Sequence, residues 1–424
     1  MKRRGFLIGL GALAAGGWLL RPGNQGAPHT PYFQVINDHL RNAGPGRPLM
    51  LVDQQRLVRN CHTLKAMLPS RCALRIVAKS LPSVPMIQTV MRETGSDRVM
   101  VFHQPFMNAL ADAEPGVDML LGKPMPVQAA RQFYNELSGD FDADRQLQWL
   151  IDSRQRLEQY LQLARTLNRR LNINIELDVG LHRGGLGDPN QLDAMIGLIQ
   201  AHPAHLRFSG FMGYDAHVGK LPGFIQNAEE GHRETEAIYQ GFIERLYRLV
   251  PAYRDEALCF NGGGSPTIGL YDDSTVVNEL AAGSCLVKAS DFDLPLLADF
   301  EPAVFIAAPV LKQWDGLNLP GPLPLGELWQ RWDPNRRQTY FIYGGCWKAT
   351  PVSPAGILEN GIYGHSTNQM MYNGSPDNAL QVDDQLFLRP TQSEFVLLQF
   401  GDLAVWQDGA IRDWWPPLTQ GKGA

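Results

Sequence analysis

From about residue 48 to residue 292 the chain alternates short apolar runs with longer amphipathic stretches. The runs at 50–52, 73–78, 98–102, 118–121, 148–151, 173–179, 207–210, 258–261 and 285–288 are too short for helices and predict strands. Between them, 54–67, 82–93, 126–137, 153–166, 190–201 and 229–249 predict helices. Strand–helix alternation at this spacing predicts a parallel sheet. Eight or so repeats predict its closure into an α/β barrel of the (β/α)8 TIM type rather than an open doubly wound sheet. After Asp293 the texture changes: Pro, Gly and Trp become frequent, and β-type runs follow at 303–310, 339–343, 385–388, 395–400 and 403–406. Asp408-Gly409 is a hairpin signal between 403–406 and 411–414. The expected organisation is an N-terminal signal and linker over 1–30, a barrel over 31–293 and a mostly-β domain over 294–424.

The N-terminus departs from this pattern. Met1-Lys-Arg-Arg is followed by an apolar stretch from Phe6 to Leu20, 15 residues, short of the roughly 20 that a spanning helix needs. A basic start and an apolar stretch of that length predict an export signal. The Arg3-Arg4-x-Phe-Leu pattern resembles a twin-arginine signal, with lysine before the arginine pair. Export to the periplasm is expected, by that route, or tethering to the inner membrane by an uncleaved segment. Any membrane contact is assigned to this segment alone.

A chain of 424 residues with 44% hydrophobic content is long enough for a large core and a second domain. A net charge of −5 provides no basic face for nucleic acid, which leaves small molecules as the expected partners. The five cysteines (Cys61, Cys72, Cys259, Cys285 and Cys346) have no C-x-x-C spacing and read as small buried hydrophobes.

Four segments carry chemistry. Lys79 ends the run Leu74-Arg-Ile-Val-Ala-Lys, so its amine is predicted at the mouth of the barrel, where active sites of this architecture lie. Desolvation there lowers an amine's pKa and suits it to attack a carbonyl. Arg183 follows the acidic strand Ile175-Glu-Leu-Asp-Val and stands before Gly184-Gly185. Glu176 and Asp178 alternate with apolar residues and are predicted to face inward, with Arg183 a candidate partner. Gly262-Gly-Gly-Ser-Pro-Thr267 comes late in the barrel, and its backbone amides with the Ser265 or Thr267 hydroxyls suit a phosphate dianion. Gly213-Tyr-Asp-Ala-His217 places Tyr214 and His217 after another strand, where either can touch a cofactor or move a proton; packing at the rim is the plain alternative.

In this order the segments resemble the D-threonine aldolase and D-serine dehydratase group of pyridoxal phosphate enzymes, which share the alanine-racemase-like barrel of fold type III. Leu49-Met-Leu-Val-Asp-Gln54, Val77-Ala-Lys-Ser80, Asp118-Met-Leu-Leu-Gly-Lys-Pro124, Glu176–Gly185, Gly213–His217, Gly262–Thr267 and Asn278-Glu-Leu-Ala-Ala-Gly283 all match in register. The resemblance implies pyridoxal 5'-phosphate as cofactor. It implies Lys79 as the Schiff-base lysine, Arg183 facing the phenolic oxygen, and Gly263, Gly264 and Ser265 on the phosphate. Tyr214 is assigned to the cofactor and His217 to proton transfer. It implies action on a D-amino acid, by retro-aldol cleavage or β-elimination of a 3-hydroxy amino acid, and a homodimer. Amino-acid racemisation and non-catalytic cofactor binding are the alternatives.

One stretch departs from that pattern. The group's metal site uses Pro-x-His-x-(Cys or Asp), and the matching stretch here is Pro390-Thr-Gln392-Ser-Glu394. A neutral amide replaces an imidazole and a glutamate replaces the second ligand, which predicts that the divalent metal is missing.

Overall fold

The computed structural model describes residues 21–219, 226–319, 321, 324–362, 364–419 and 421. The expected export signal lies outside the described residues. Among the described residues no helix is long and apolar enough to cross a membrane. The chain forms two compact units, one of Asp53–Ala303, Gln392–Asp402 and the C-terminal residues, the other of residues up to Val52, Val304–Thr391 and Leu403–Asp413.

The first strand, β1 (Leu49–Asp53), was expected to run with the barrel. It instead pairs antiparallel with β10 (Val304–Asp315) of the other unit, Leu49 opposite Ala307 and Val52 opposite Val304. All five of its residues are buried, so no polar–apolar alternation marks which sheet receives it.

The barrel strands are β2 (Ala73–Val77), β3 (Arg98–Val101), β4 (Asp118–Leu121), β5 (Leu147–Ile151), β6 (Leu171–Leu177), β7 (Leu206–Gly213), β8 (Cys259–Gly262) and β9 (Glu279–Ala282). They are parallel and close in sequence order, with Ala73 on β2 opposite Glu279 on β9. Helices on the outside carry the expected end signals. Asp53 and Ser153 cap Gln54–Met67 and Arg154–Leu167 at their N-termini, and Gly95, at φ 76°, terminates Val84–Thr94. The predicted strand at 285–288 is a short helix, Ser284–Val287, and the eighth barrel strand is Glu279-Leu-Ala-Ala282.

The reason that strand was missed lies in the barrel interior. Glu279 is fully buried and takes Arg75 Nε at 2.5 Å and Arg98 NH1 at 2.8 Å, while Arg75 also reaches Asp118 at 2.6 Å. Burial alone pushes the Glu279 carboxyl up, but the two guanidinium groups outweigh it and hold it at about 2. A charge that reads as surface in the sequence is thus an interior pillar between strands.

The second unit is built on a nine-stranded sheet. It contains β1 and β10 with β11 (Gln338–Tyr343), β12 (Ala349–Ser353), β13 (Leu358–Glu359), β14 (Gln369–Gly374), β15 (Gln385–Pro390), β16 (Leu403–Gln407) and β17 (Ala410–Trp415). The helix Pro31–Ala43 lays Ile36 and Leu40 against Leu49, Leu51, Phe387 and Trp406 in its core. The expected hairpin at Asp408-Gly409 forms, both residues at positive φ. The predicted strand at 395–400 is helical instead, Ser393–Val396 continuing into a turn at Leu397–Gln399. All five cysteines are free; Cys61 and Cys285 are buried as expected, whereas Cys346 is exposed.

Candidate active site

The C-terminal ends of the barrel strands surround a cavity of about 750 Å³. Strand register decides what stands beside what. Val77 pairs with Met100, so Lys79, two residues on, comes level with Phe102, and its Nζ lies 5.0 Å from that ring. Ile151 pairs with Ile175, which brings Asp152 level with Glu176. All four line the cavity.

Lys79 lies in the turn Ala78–Ser80, just beyond β2. Its Nζ is 3.2 Å from Glu394 Oε1, and the side chain keeps 41% of its exposure. The water-stripped setting expected for this amine does not form, because β2 ends at Val77 and the lysine stands on the lip of the cavity, paired with a carboxylate. Glu394 belongs to the short helix Ser393–Val396, within the same compact unit as the barrel.

Arg183 lies with its guanidinium carbon 4.7 Å from the Tyr214 ring, and both side chains line the cavity. Glu176, 8% exposed on β6, faces the same space. Burial raises its carboxyl to about 7; Arg183 lowers it in part and Asp152 adds to the rise. No side-chain hydrogen bond from a described residue contributes to it. Asp178 was expected to point inward like Glu176, but it lies past the end of the strand. It accepts from the Gly180 and His182 amides at 3.1 and 2.8 Å and pairs with the His182 ring at 2.8 Å, which shapes the turn that carries Arg183.

The glycine loop is locked from two sides. Gly263 has φ +70°, and a Cβ at Gly264 would lie 2.6 Å from the Tyr214 ring, so the ring and the loop approach as only glycine permits. Ser265 Oγ accepts from the Gly283 and Cys285 amides at 3.2 and 3.1 Å and lines the cavity, which leaves its own proton to donate. Thr267, the other expected phosphate hydroxyl, is turned away and lies 2.7 Å from the buried Asp215. Tyr271 donates to the same carboxylate at 2.8 Å, and burial, opposed by these bonds, raises the Asp215 carboxyl. Asp215 therefore ties the Tyr214 segment to the glycine loop. The sequence placed these segments in order without indicating that bond.

His217, expected in proton transfer, is not among the residues lining this cavity. Its Nε2 lies 2.9 Å from where a Cβ on Gly180 would stand, and its Nδ1 is buried with no hydrogen-bond partner among the described residues. The ring packs against the β6 turn, as the plainer alternative had it. Of the two residues at the departed metal motif, Gln392 donates to Asp291 at 3.0 Å and Glu394 is committed to Lys79. Among the described residues no group of three or more His, Cys, Asp or Glu side chains is placed to hold a metal ion. Glu394 was recognised as a departure from a motif, but its pairing with Lys79 was not legible, since 315 residues separate the two.

A closed parallel barrel with a lysine at the end of one strand, an arginine over a tyrosine at two others and a late glycine loop is the arrangement that the resemblance to fold type III pyridoxal phosphate enzymes implied. The sequence profile of the alanine racemase N-terminal domain family matches residues 52–291, and the chain belongs to that family. Its members are pyridoxal phosphate-dependent enzymes that act on amino acids. Among solved structures, D-threonine aldolase from Filomicrobium marinum is 17% identical, with 93% of this chain and 97% of that chain covered and a TM-score of 0.65. The D-threo-3-hydroxyaspartate dehydratase of a Delftia species is 16% identical over 88% and 97%, TM-score 0.62. Alanine racemase from Bacillus anthracis is 13% identical over 87% and 97%, TM-score 0.63. These likenesses are of fold. No curated protein sequence matches the chain.

The residues present fit pyridoxal phosphate. The cavity is of the size that small-molecule sites take. Gly263 and Gly264 present backbone rather than side chains to the cavity, and the Ser265 hydroxyl is left with a proton to give an oxyanion.

Proposed function

We propose that this chain is a pyridoxal phosphate-dependent lyase that cleaves or dehydrates 3-hydroxy D-amino acids and does so without a metal ion. The observation that carries the reading is the meeting of Lys79, Arg183, Tyr214, Ser265 and Glu394 around one cavity. Lys79 Nζ is the amine that would hold the cofactor's aldehyde carbon, and Gly263, Gly264 and Ser265 would hold its phosphate. Arg183, kept over Tyr214, is the cation available to its phenolic oxygen. Bound cofactor supplies an electron sink for charge left at the substrate's Cα.

The protein's own groups then have proton work to do. With cofactor and substrate bound, Lys79 Nζ would be the group in place to carry the proton at Cα. Glu394 Oε1, 3.2 Å from that amine, stands where it can serve the β-hydroxyl oxygen. It would accept that proton in cleavage; in dehydration it would pass to the departing oxygen the proton that Lys79 takes from Cα. A carboxylate thus takes the part for which the group's motif supplies a metal, consistent with Gln392 and Glu394 standing where imidazole and the second ligand would be. Such an enzyme is expected to be a homodimer exported to the periplasm or held at its inner face.

The test is product analysis with D-threonine, D-serine, D-threo-3-hydroxyaspartate and their L-forms, with and without chelator. Glycine plus an aldehyde, or a keto acid plus ammonia, formed from the D-forms at a chelator-independent rate is expected. Racemised substrate with its side chain intact, or cofactor uptake without turnover, would refute the proposal in favour of a racemase or a non-catalytic binder.

A further inference from the structure

Two side chains on the cavity wall have no part in the chemistry above. Val101 on β3 pairs with Leu121 on β4, and the Gly122 amide donates to the Val101 carbonyl at 2.9 Å, so His103 and Lys123 come level two residues on. Both line the cavity. Pro124 restricts Lys123 to extended backbone, and Tyr160 Oη donates to the Met125 carbonyl at 3.0 Å, which pins the turn. Among the described residues Lys123 makes no hydrogen bond or ion pair; Asp152 lines the same cavity without pairing with it. His103 rests edge-on against Phe106, ring centroids 5.0 Å apart, and its Nδ1 is buried with no hydrogen-bond partner among the described residues. Burial, and then Lys123, lowers the pKa of the ring, which keeps it neutral at neutral pH. With no acceptor at Nδ1, its one proton belongs on Nε2, as a donor. One ammonium and one neutral donor match the single charge of a carboxylate better than a phosphate dianion.

We propose that His103 and Lys123 bind a carboxylate on the substrate's side chain, so that acidic 3-hydroxy D-amino acids are the preferred class; this rests on the lyase reading above. Position selects the side chain. β2 has β9 on one side and β3 on the other, so Lys79 stands between the glycine cradle after β8 and this pair after β3 and β4. The Phe102 ring lies on the way. Its centroid is 5.0 Å from Lys79 Nζ, and a Cβ on Gly122, the residue before Lys123, would meet its edge at 2.3 Å. A substrate amine held where Lys79 Nζ now stands keeps its α-carboxylate carbon within about 2.5 Å of that nitrogen, on the near side of the ring. A carboxylate at the end of the side chain reaches further, across the ring towards Lys123.

The experiment uses the full chain loaded with cofactor and two ligands without a 3-hydroxyl, D-aspartate and D-alanine, which can be neither cleaved nor dehydrated in the proposed way. Binding is read from the change in cofactor absorbance and needs no turnover. D-aspartate is expected to bind about tenfold more tightly than D-alanine. Lys123→Gln is expected to erase that preference by weakening D-aspartate alone, and Lys123→Arg to keep it. His103→Phe, which retains a ring against Phe106, is expected to reduce it about threefold. A parent protein that binds the two ligands equally overturns the proposal, as does a preference that survives Lys123→Gln. Equal weakening of both ligands by Lys123→Gln also overturns it, since the pair would then hold the α-carboxylate. The expected preference together with no turnover of any 3-hydroxy D-amino acid would instead sink the lyase reading and leave this carboxylate site standing.

Discussion

Replacing Glu176 with glutamine should make the cofactor-free protein more stable, and increasingly so as pH rises. The carboxyl is 8% exposed in the fold, and its pKa stands at about 7 against an ordinary 4.5. Below pH 4.5 it is uncharged whether the chain is folded or not, and its burial costs little. Between that pH and about 7 the unfolded chain ionises the group while the fold resists, so stability falls as pH rises and levels off beyond. At about 1.4 kcal/mol for each pH unit between the two pKa values, the ceiling is about 3.5 kcal/mol. Water in the cavity screens part of this, and about 2 kcal/mol is expected between roughly pH 5 and pH 8.5. Glu176→Gln keeps the shape and removes the ionisation. Urea unfolding of the apoprotein at the two pH values checks it: the variant should match the parent near pH 5 and exceed it near pH 8.5. Equal pH dependence of the two proteins would show that Glu176 is paired or hydrated in the fold, and the reasoning would fail.

Three further outcomes follow from the site and the barrel. Lys79→Ala should leave the protein folded yet colourless with pyridoxal phosphate, and borohydride should leave no adduct on the corresponding peptide. Glu394→Gln should retain cofactor colour while turnover drops about 10²- to 10⁴-fold, with added metal failing to restore it; near-parental turnover would remove Glu394 from proton transfer. Glu279→Gln should cost about 3–5 kcal/mol by leaving the buried Arg75 with Asp118 as its remaining carboxylate and Arg98 without its ion-pair partner. Glu279 stabilises the fold above pH 4.5 and loses that effect as pH falls towards about 2, so the variant's unfolding should also lose acid sensitivity in that window.

The barrel was legible because its strands are short apolar runs separated by helical periodicity, a local signal. What escaped were elements whose identity depends on a distant partner. Glu279-Leu-Ala-Ala282 reads as a polar-headed fragment until Arg75 and Arg98 are placed around the carboxylate. Leu49–Asp53 is apolar throughout, and nothing within it distinguishes a parallel from an antiparallel neighbour. Lys79, Arg183, Tyr214 and Ser265 could be expected together at one cavity because each follows a strand, and the architecture gathers strand ends at one mouth. His217 follows the same strand as Tyr214 yet turns to Gly180, a distinction of side-chain direction that chain position does not encode. Thr267 and Ser265 differ in the same way: both hydroxyls suit a phosphate, but the buried Asp215 claims one of them.

The stretch Gln392–Asp402 joins the barrel's compact unit although most of the other unit's sequence intervenes. A fragment ending at Ala303 would therefore keep the lysine, the arginine and the glycine cradle while forfeiting the carboxylate opposite the amine. On the proposed reading, cofactor capture and choice of reaction are written in separate pieces of the gene, and transplanting that one brief excursion between relatives would be a direct route to exchanging chemistries on an unchanged chassis.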